Sequence, residues 1–274
     1  MRLLENHSVL ITGGGSGLGL GVARHCLAEG AQLAVMDISG EKLAALRAEF
    51  GDQVLLVEGS CTRVEELERC RAAVAARFGR LDALIGVQGI FDGNIRLADV
   101  PLERIDGLFD ELFHVNVKGH VLAARVFYDM LLAAEGAIVL TSSTAAYAAD
   151  GGGVMYSATK GAIRSIVHQL AFEFAPAIRV NGIAPAGIAN SQLRGPAALG
   201  MQAQKQSDIP KDAFLAKFRS ISLLQELPTP EDHGFLYAFL ASRQNKLVTG
   251  QTIVVDQGLL NRALLSAELP NKGG

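Results

Sequence analysis

The sequence predicts an α/β fold in which a single doubly wound parallel sheet carries helices on both faces. Short apolar runs alternate with segments of helical periodicity along most of the 274 residues. Parallel strands need crossover helices, so this alternation favours a parallel sheet over an antiparallel one. A glycine-rich turn follows the first apolar run, and an acidic residue ends the second. Together these features predict a nucleotide-binding arrangement at the start of the chain.

The composition narrows the class of protein. A hydrophobic content of 49% and a mean hydropathy of +0.26 are enough for a sizeable core. A net charge of −3 is not the electrostatic pattern of a protein that binds nucleic acid or an anionic membrane. No apolar run reaches about 18 residues, and the first six residues are too short and mixed for a signal peptide. Cys26, Cys61 and Cys70 have no metal-ligand spacing, so we expect no metal site and a cytoplasmic location.

The first strand, 8–12, leads into the glycine-rich turn 13–19 (GGGSGLG). Apolar residues then recur at helical spacing over 20–29, and Gly30 ends that helix. Glycines let the backbone approach a pyrophosphate, and the N-terminus of the helix offers unpaired N–H groups. Taken alone, the pattern also fits an ordinary turn between a strand and a helix.

The second strand, 31–36, favours the nucleotide-binding interpretation because it ends on Asp37. Rossmann-type folds place a carboxylate about 20 residues after the glycine turn, where it binds the ribose hydroxyls of the adenosine. A carboxylate there repels a 2′-phosphate, and no Arg follows Asp37 directly. The sequence therefore predicts NAD rather than NADP as the cofactor.

The remaining elements continue the alternation through residues 1–274 without a repeat or a second domain. We predict strands at 54–58, 81–87, 137–141, 178–183 and 250–256, and helices at 41–50, 64–78, 101–132, 156–174, 211–220 and 231–241. Residues 191–210 are polar and lack periodicity, so we interpret the surrounding segment, about 188–220, as a substrate loop.

A Tyr–Lys pair gives the strongest indication of chemistry. Tyr156 and Lys160 lie one turn apart on the same face of a predicted helix. An ammonium beside a phenol favours the phenolate, which can serve as a general base for an alcohol proton. Ser143 follows the strand 137–141, at the sheet edge where this architecture binds ligands. The Tyr–Lys spacing alone is weak evidence, since it also occurs on many solvated helices.

Together, these motifs resemble the short-chain dehydrogenase/reductase family over essentially the whole chain. The residues that carry the resemblance are the turn 12–19, Asp37, Asn116, Ser143, Tyr156, Lys160 and the segment Pro185-Ala-Gly187. Within the family the chain is most similar to the bacterial cis-dihydrodiol dehydrogenases of aromatic degradation. Segments 109–119, 151–153 and 193–201 carry that closer similarity, the last of them within the substrate loop.

The resemblance implies a role for each residue of a catalytic tetrad. Tyr156 takes the proton of a substrate hydroxyl while hydride leaves the same carbon for NAD⁺. Lys160 binds the nicotinamide ribose and holds Tyr156 toward phenolate, and Ser143 hydrogen-bonds the reacting oxygen. Asn116 anchors a water that leads from Lys160 to solvent.

The resemblance also implies cofactor and substrate contacts. The implied cofactor-binding residues are Gly13, Gly15, Ser16, Gly17, Leu18, Gly19, Asp37, Ser60, Cys61, Gln88, Gly89, Tyr156, Lys160, Pro185, Gly187 and Ile188. Ser143, Tyr156, Thr144 and Arg194 are the candidates for substrate contact. Thr144 and Asp150 lie near the end of the catalytic strand, and their sequence context fits a substrate contact and an exposed position without a ligand equally well. Arg194 suits either a carboxylated substrate or the anchoring of the loop.

Two segments depart from the family pattern. Gly86-Val87-Gln88-Gly89 stands where the family has Asn-Asn-Ala-Gly, so we expect a changed local network or altered ribose contacts. Ser60-Cys61 stands where an Asp usually binds the adenine amino group. Ser60 can still accept a hydrogen bond in its place. Judged by themselves, Cys61 and His114 fit structural roles.

These implications combine into one expected activity, the NAD-dependent oxidation of a cis-dihydrodiol to a catechol. Aromatisation of the product favours the oxidative direction. Two alternatives remain open: a related enzyme for another cyclic or aryl secondary alcohol, and a nucleotide-binding scaffold without catalysis. The resemblance further implies a homotetramer. The apolar C-terminal strand around Val254 and the long helices before it are the expected interface elements, and we expect the tail 266–274 to fray or to reach a neighbouring subunit.

Overall fold

The computed structural model describes residues 2–208 and 210–261, and these residues form the predicted parallel sheet. The strands are β1 (Ser8–Thr12), β2 (Gln32–Asp37), β3 (Val54–Glu58), β4 (Ala83–Gly86), β5 (Ala137–Thr141), β6 (Arg179–Pro185) and β7 (Thr252–Val255). Their order in the sheet is β3-β2-β1-β4-β5-β6-β7, and every pairing is parallel. The strand order reverses between β1 and β4, which opens a ligand crevice at their carboxyl ends.

Helices cover both faces of this sheet. They are α1 (Gly17–Ala28), α2 (Gly40–Phe50), α3 (Val64–Phe78), α4 (Ile105–Phe113), α5 (Gly119–Val126), α6 (Tyr128–Ala134), α7 (Val154–Phe174), α8 (Lys211–Ile221) and α9 (Gly234–Ala241). Side chains of a strand alternate between faces, so Leu10 packs with α3, α5 and α7, while Val9 and Ile11 pack with α1 and α9. The predicted two-sided packing is confirmed.

The predicted continuous helix over 101–132 is wrong, because the structure divides it. A short 3₁₀ turn (Leu102–Arg104) precedes α4, and a single π-helical turn (His114–Lys118) separates α4 from α5. A π turn adds a residue to the helical repeat and so rotates the following side chains. The apolar periodicity does not reveal this insertion. The turn holds Asn116, whose side chain is fully buried.

The segment after β6 has more local structure than its composition indicates. Arg194 and Lys205 form an isolated antiparallel bridge, and 3₁₀ turns lie at Ala197–Leu199 and Gln206–Asp208. Backbone hydrogen bonds such as Gly195 N–H to Gln204 O (3.1 Å) close this substrate loop on itself. The tail 266–274 lies outside the described residues. That residues 1–274 form one domain stays a prediction.

Two features are absent from the described part of the chain. None of its helices is long and apolar enough to cross a membrane. Within the same residues, no group of three or more His, Cys, Asp or Glu side chains could hold a metal ion.

Candidate active site

One cleft runs along the carboxyl ends of the central strands and brings most of the predicted site residues together. Those that line it are Gly13, Ser16, Gly17, Leu18, Gly19, Asp37, Ser60, Cys61, Gln88, Gly89, Ser143, Tyr156, Lys160, Pro185, Ile188 and Arg194. Four predicted site residues do not line it: Gly15, Asn116, Thr144 and Gly187. The cleft therefore extends from Asp37, at the end of β2, to Tyr156, in the first turn of α7.

At Gly13 and Gly19 the glycine-rich turn is packed so closely that a side chain would not fit. Gly13 has a φ of +77°, and a Cβ there would lie 2.6 Å from the Gln88 Cα. A Cβ at Gly19 would collide with the Gly13 carbonyl oxygen. Ser16 precedes α1 without a side-chain cap bond, so its helix N-terminus is left for a ligand in the cleft. This open N-terminus fits a pyrophosphate group.

Asp37 is the buried carboxylate at the far end of the cleft. Its Oδ2 accepts the Gly15 N–H (2.9 Å), and its Oδ1 accepts the Ser39 N–H (3.0 Å). These bonds hold the carboxylate against the glycine turn, where the sequence predicts ribose recognition. Lys42 also lines this end of the cleft. The sequence reading missed it because it is five positions after Asp37 and not next to it.

The unusual Gln88 builds a buried network of its own, as the departure from the family pattern predicts. The Thr12 hydroxyl donates to Gln88 Oε1 (2.6 Å), and Gln88 Nε2 lies 3.0 Å from His120 Nδ1. An amide N–H donates, so His120 Nδ1 accepts and its proton resides on Nε2. Burial, aided by the charge of Lys160, lowers the pKa of His120 to about 3. His120 is thus a neutral structural partner that the sequence reading did not identify.

The Ser60–Cys61 segment carries no charge into the adenine end of the cleft. Ser60 Oγ bonds the Thr62 hydroxyl (2.8 Å) and accepts the Thr62 N–H (3.2 Å). Burial raises the pKa of Cys61 to about 12, so its thiol stays protonated. Whether Ser60 or Cys61 contacts the adenine stays a prediction.

Ser143, Tyr156 and Lys160 meet at the other end of the cleft. Ser143 follows β5, and its side chain lies close enough to the Tyr156 hydroxyl to lower the pKa of that phenol. The Lys160 Nζ donates to the Thr141 carbonyl oxygen (3.1 Å) and lies 5.6 Å from the centroid of the Tyr156 ring. Three elements, β5, its following turn and α7, thus converge on one phenol.

Burial dominates the electrostatics of this cluster. It raises the pKa of Tyr156 to about 12, against the lowering effect of the adjacent Ser143 side chain, and the nearby Asp92 raises it further. Burial lowers the pKa of Lys160 to about 8. In the protein alone, the pKa of Tyr156 therefore lies above its ordinary value, opposite to the direction expected from Lys160. The sequence argument considered the ammonium and omitted the desolvation of the phenol.

Asn116 joins the π turn to the segment that follows β4. Its Oδ1 accepts the Ile90 N–H (2.8 Å), and its Nδ2 donates to the Ile90 carbonyl (2.9 Å) and the Thr159 hydroxyl (3.2 Å). The side chain is thereby fully engaged with protein groups. The predicted water anchored at Asn116 stays a prediction.

Arg194 and Thr144, the two candidates for substrate contact outside the catalytic tetrad, differ in position. Arg194 lines the cleft, but its Nη1 bonds Glu111 Oε1 (3.3 Å) and the Gly195 carbonyl (3.1 Å). These contacts match the alternative in which Arg194 anchors the loop. Thr144 begins a 3₁₀ turn capped by Ser143 and does not line the cleft. Asp150 is exposed and bonds Asn94.

The sequence reading missed Asp92, a buried carboxylate beside Tyr156. Asp92 is 1% exposed and accepts hydrogen bonds from backbone N–H groups at the start of α7. Its partners lie more than 60 positions along the chain. No local sequence signal predicts such a contact.

Comparisons with known proteins identify the family and agree with the fold. Residues 13–260 match a family model of the short-chain alcohol dehydrogenase type described as enoyl-(acyl carrier protein) reductase. The 3-phenylpropionate-dihydrodiol/cinnamic acid-dihydrodiol dehydrogenases of Escherichia coli O7:K1 and Shigella boydii serotype 4 are each 42% identical over 265 residues, which cover 96% of this chain and 97% of theirs.

A solved structure supports the fold alone. The crystal structure of gox2181 has a TM-score of 0.78 and 24% identity, covering 94% of this chain and 97% of that one. The family match spans nearly all of the sheet and the cleft, and the relatives match over almost their full length. The resemblance predicted from the motifs is confirmed, and the chain belongs to the short-chain dehydrogenase/reductase family.

Proposed function

We propose that the protein oxidises a cis-dihydrodiol of an aromatic compound to the catechol, using NAD⁺. The observation that carries the proposal is the meeting of Ser143, Tyr156 and Lys160 at the end of a dinucleotide-type cleft. Membership of the family makes the protein an NAD-dependent oxidoreductase. The substrate class comes from relatives that are 42% identical and are named dihydrodiol dehydrogenases.

The protein's own groups would perform the proton transfer. Tyr156 would accept the proton of one substrate hydroxyl, and Ser143 would donate a hydrogen bond to the same oxygen as its negative charge develops. NAD⁺, when bound, supplies the hydride acceptor. Lys160 would bind the nicotinamide ribose and return the proton toward Asn116 and solvent.

The cofactor would lie along the cleft from Asp37 to Lys160. The uncapped N-terminus of α1 fits the pyrophosphate, and Asp37 fits the adenosine ribose. Gly89 leaves room at the catalytic end, where a Cβ would lie 3.4 Å from Asn116 Oδ1 and 3.6 Å from Lys160 Nζ. Pro185, Gly187 and the backbone of Ile188 would hold the carboxamide side.

A panel of dihydrodiols tests the proposed reaction. The cis-dihydrodiols of biphenyl, benzene, phenylpropionate and a carboxylated arene are offered with NAD⁺, and NADH is followed by absorbance. We expect NADH from at least one of them and none from matched trans-diols. If only other cyclic or aryl secondary alcohols react, the first alternative holds. If NAD⁺ binds and no alcohol reacts, the protein is a scaffold.

Replacing Asp37 with Asn tests the cofactor preference. The amide keeps the shape of the carboxylate but no longer repels a 2′-phosphate. We expect the ratio of kcat/KM for NAD⁺ over NADP⁺ to fall by about 10-fold or more, equal to 1.4 kcal/mol. Asp52→Asn, at an exposed position after α2, is the matched control. An unchanged ratio would exclude Asp37 as the selecting group.

We also propose that the protein is cytoplasmic and forms a homotetramer. Sedimentation equilibrium measures the number of subunits directly. Large apolar side chains are exposed on neighbouring helices: Phe109 on α4 (46%), Val121 on α5 (43%) and Phe172 on α7 (80%). Exposed apolar patches of this kind support association between copies of the chain.

A further inference from the structure

The catalytic helix α7 begins without a cap from its own sequence. Its first residue is Val154, and the preceding Gly153 has no side chain. The open N–H groups of a helix N-terminus need acceptors, and a buried one needs them from elsewhere in the fold. Tyr156 lies in this first turn, so whatever caps the turn also determines where the phenol points.

Asp92 supplies the missing acceptors from the segment after β4. Its Oδ1 accepts the Gly153 N–H (2.9 Å), and its Oδ2 accepts the N–H of Tyr156 itself (3.2 Å). The same carboxylate accepts the Asn94 N–H (3.2 Å), which fixes its own orientation. A carboxylate at a helix N-terminus also interacts favourably with the helix dipole.

The glycines before α7 are required by this contact. A Cβ at Gly153 would lie 2.5 Å from Asp92 Oδ2 and 2.7 Å from the Ile95 carbonyl oxygen. A Cβ at Gly152 would collide with the Tyr156 ring. Gly152 and Gly153 therefore leave the space that the phenol ring and the carboxylate occupy beside this turn.

The two residues that precede Asp92 are held by other parts of the site. Asn116 bonds both backbone groups of Ile90, and the Phe91 N–H donates to the Arg194 carbonyl (3.0 Å). The Phe91 ring packs edge-on against Tyr156, with centroids 4.9 Å apart and an interplanar angle of 85°. The π turn and the substrate loop thus hold the backbone just before Asp92, which contacts α7.

We propose that Asp92 is a positioning residue for the reaction: its buried carboxylate fixes the first turn of α7 and so directs the Tyr156 hydroxyl toward Ser143 and the cleft. Asp92 does not line the cleft, and it acts through the backbone of the residue it positions. This inference rests on the proposed role of Tyr156 as the proton acceptor.

Because Asp92 is charged, its removal should change the pKa of Tyr156, which the loss of a purely structural contact would not do. The charged groups close to Tyr156 are Asp92, from the segment after β4, and Lys160, from α7. Ser143 faces it as a neutral donor, and His120 beside Lys160 is uncharged. Removing the negative charge lowers the pKa of Tyr156, since the neighbouring charge raises it.

Asp92→Asn tests the proposal because the amide keeps the size of the carboxylate but cannot accept from both N–H groups. We expect kcat for the dihydrodiol to fall by about 10- to 100-fold, while KM for NAD⁺ stays within about twofold. The midpoint of the kcat–pH profile should move to lower pH. Gly153→Ala, which displaces the carboxylate from the helix side, should reproduce the loss of kcat and decides the question if Asp92→Asn does not fold.

Asp232→Asn is the matched control. Asp232 accepts the Thr229 N–H (2.7 Å) and hydroxyl (2.8 Å) at another helix start, away from the cleft. Its loss should lower the melting temperature without changing kcat or the pH midpoint. A wild-type kcat and midpoint in Asp92→Asn would overturn the proposal, and so would an equal loss of kcat in both variants.

A tyrosinate titration separates this proposal from the proposed function. The ultraviolet signal of Tyr156 is obtained by subtracting the titration of Tyr156→Phe from that of the wild type. In Asp92→Asn this signal should move to lower pH even if no dihydrodiol is oxidised. An unmoved signal would overturn the role of Asp92, whereas a moved signal without any alcohol oxidation would overturn only the proposed reaction.

Discussion

Tyr156→Phe is expected to lower kcat for the dihydrodiol by about 10²- to 10⁴-fold, the usual contribution of a general base. The substitution removes one hydroxyl and keeps the ring, so the edge-on contact with Phe91 remains. The lost oxygen is the partner of Ser143 at the cleft. Affinity for NAD⁺, measured by fluorescence titration, should change little, because the glycine turn and Asp37 are untouched.

Tyr128→Phe is the matched control for this experiment. Tyr128 opens α6 and packs against Phe174, with ring centroids 4.8 Å apart; Phe174 is the last residue of α7, whereas Tyr156 lies in its first turn. Its kcat should equal that of the wild type. If Tyr156→Phe keeps the full rate of NADH formation from a dihydrodiol, the proposed mechanism is wrong.

Lys160→Met is expected to abolish most activity and to stabilise the fold at neutral pH. The ammonium is 3% exposed and donates to the Thr141 carbonyl. Burying a charge costs stability, and a methionine of similar length removes that cost. We expect a loss in kcat of about 100-fold or more and a gain in the free energy of unfolding of about 1–3 kcal/mol.

The stability gain should depend on pH in a defined direction. Burial lowers the pKa of Lys160 from 10.5 to about 8, so below pH 8 both the folded and the unfolded chain carry the proton and the penalty is complete. Between pH 8 and 10.5 the folded protein has already released the proton. The unfolded chain then binds more protons, so wild-type stability rises with pH relative to the variant. The gain from Lys160→Met should therefore shrink over this window.

Urea unfolding of both proteins at a series of pH values measures this trend. Lys246→Met, at an exposed lysine after α9, is the control and should show no gain at any pH. A Lys160→Met protein that is no more stable than the wild type at pH 7 would contradict a penalised buried ammonium. Such a result would also remove the physical basis for the low pKa of Lys160.

The bounds of several strands and helices were predictable because they depend on local periodicity. β1, β3, β5 and α3 have the predicted boundaries, since apolar runs and turn residues act within a few positions. The division of the helix over 101–132 was not predictable. The π turn forms where Asn116 can reach Ile90, which lies 26 positions earlier in the chain, and no local pattern encodes that contact.

The chemistry of the site divides in the same way. Residue types and their spacing identified Ser143, Tyr156, Lys160 and Asp37, because a strand end and one helical turn bring them to one edge of a parallel sheet. The direction of the Tyr156 pKa was misjudged, since burial is a property of the packed molecule. The partner of Gln88 was also unpredictable, because His120 lies 32 positions away.

By itself, the sequence determined the parallel sheet, the glycine turn, the acidic end of β2 and the reacting pair on α7. Each depends on contacts within one turn, one strand or one strand–helix unit. The tertiary structure decided how the pair is held and charged: Asp92 caps α7 from a remote segment, burial shifts the pKa of Tyr156 and Lys160 in opposite directions, and Glu111 engages Arg194. These effects depend on distance and desolvation between distant segments, which arise only when the chain packs.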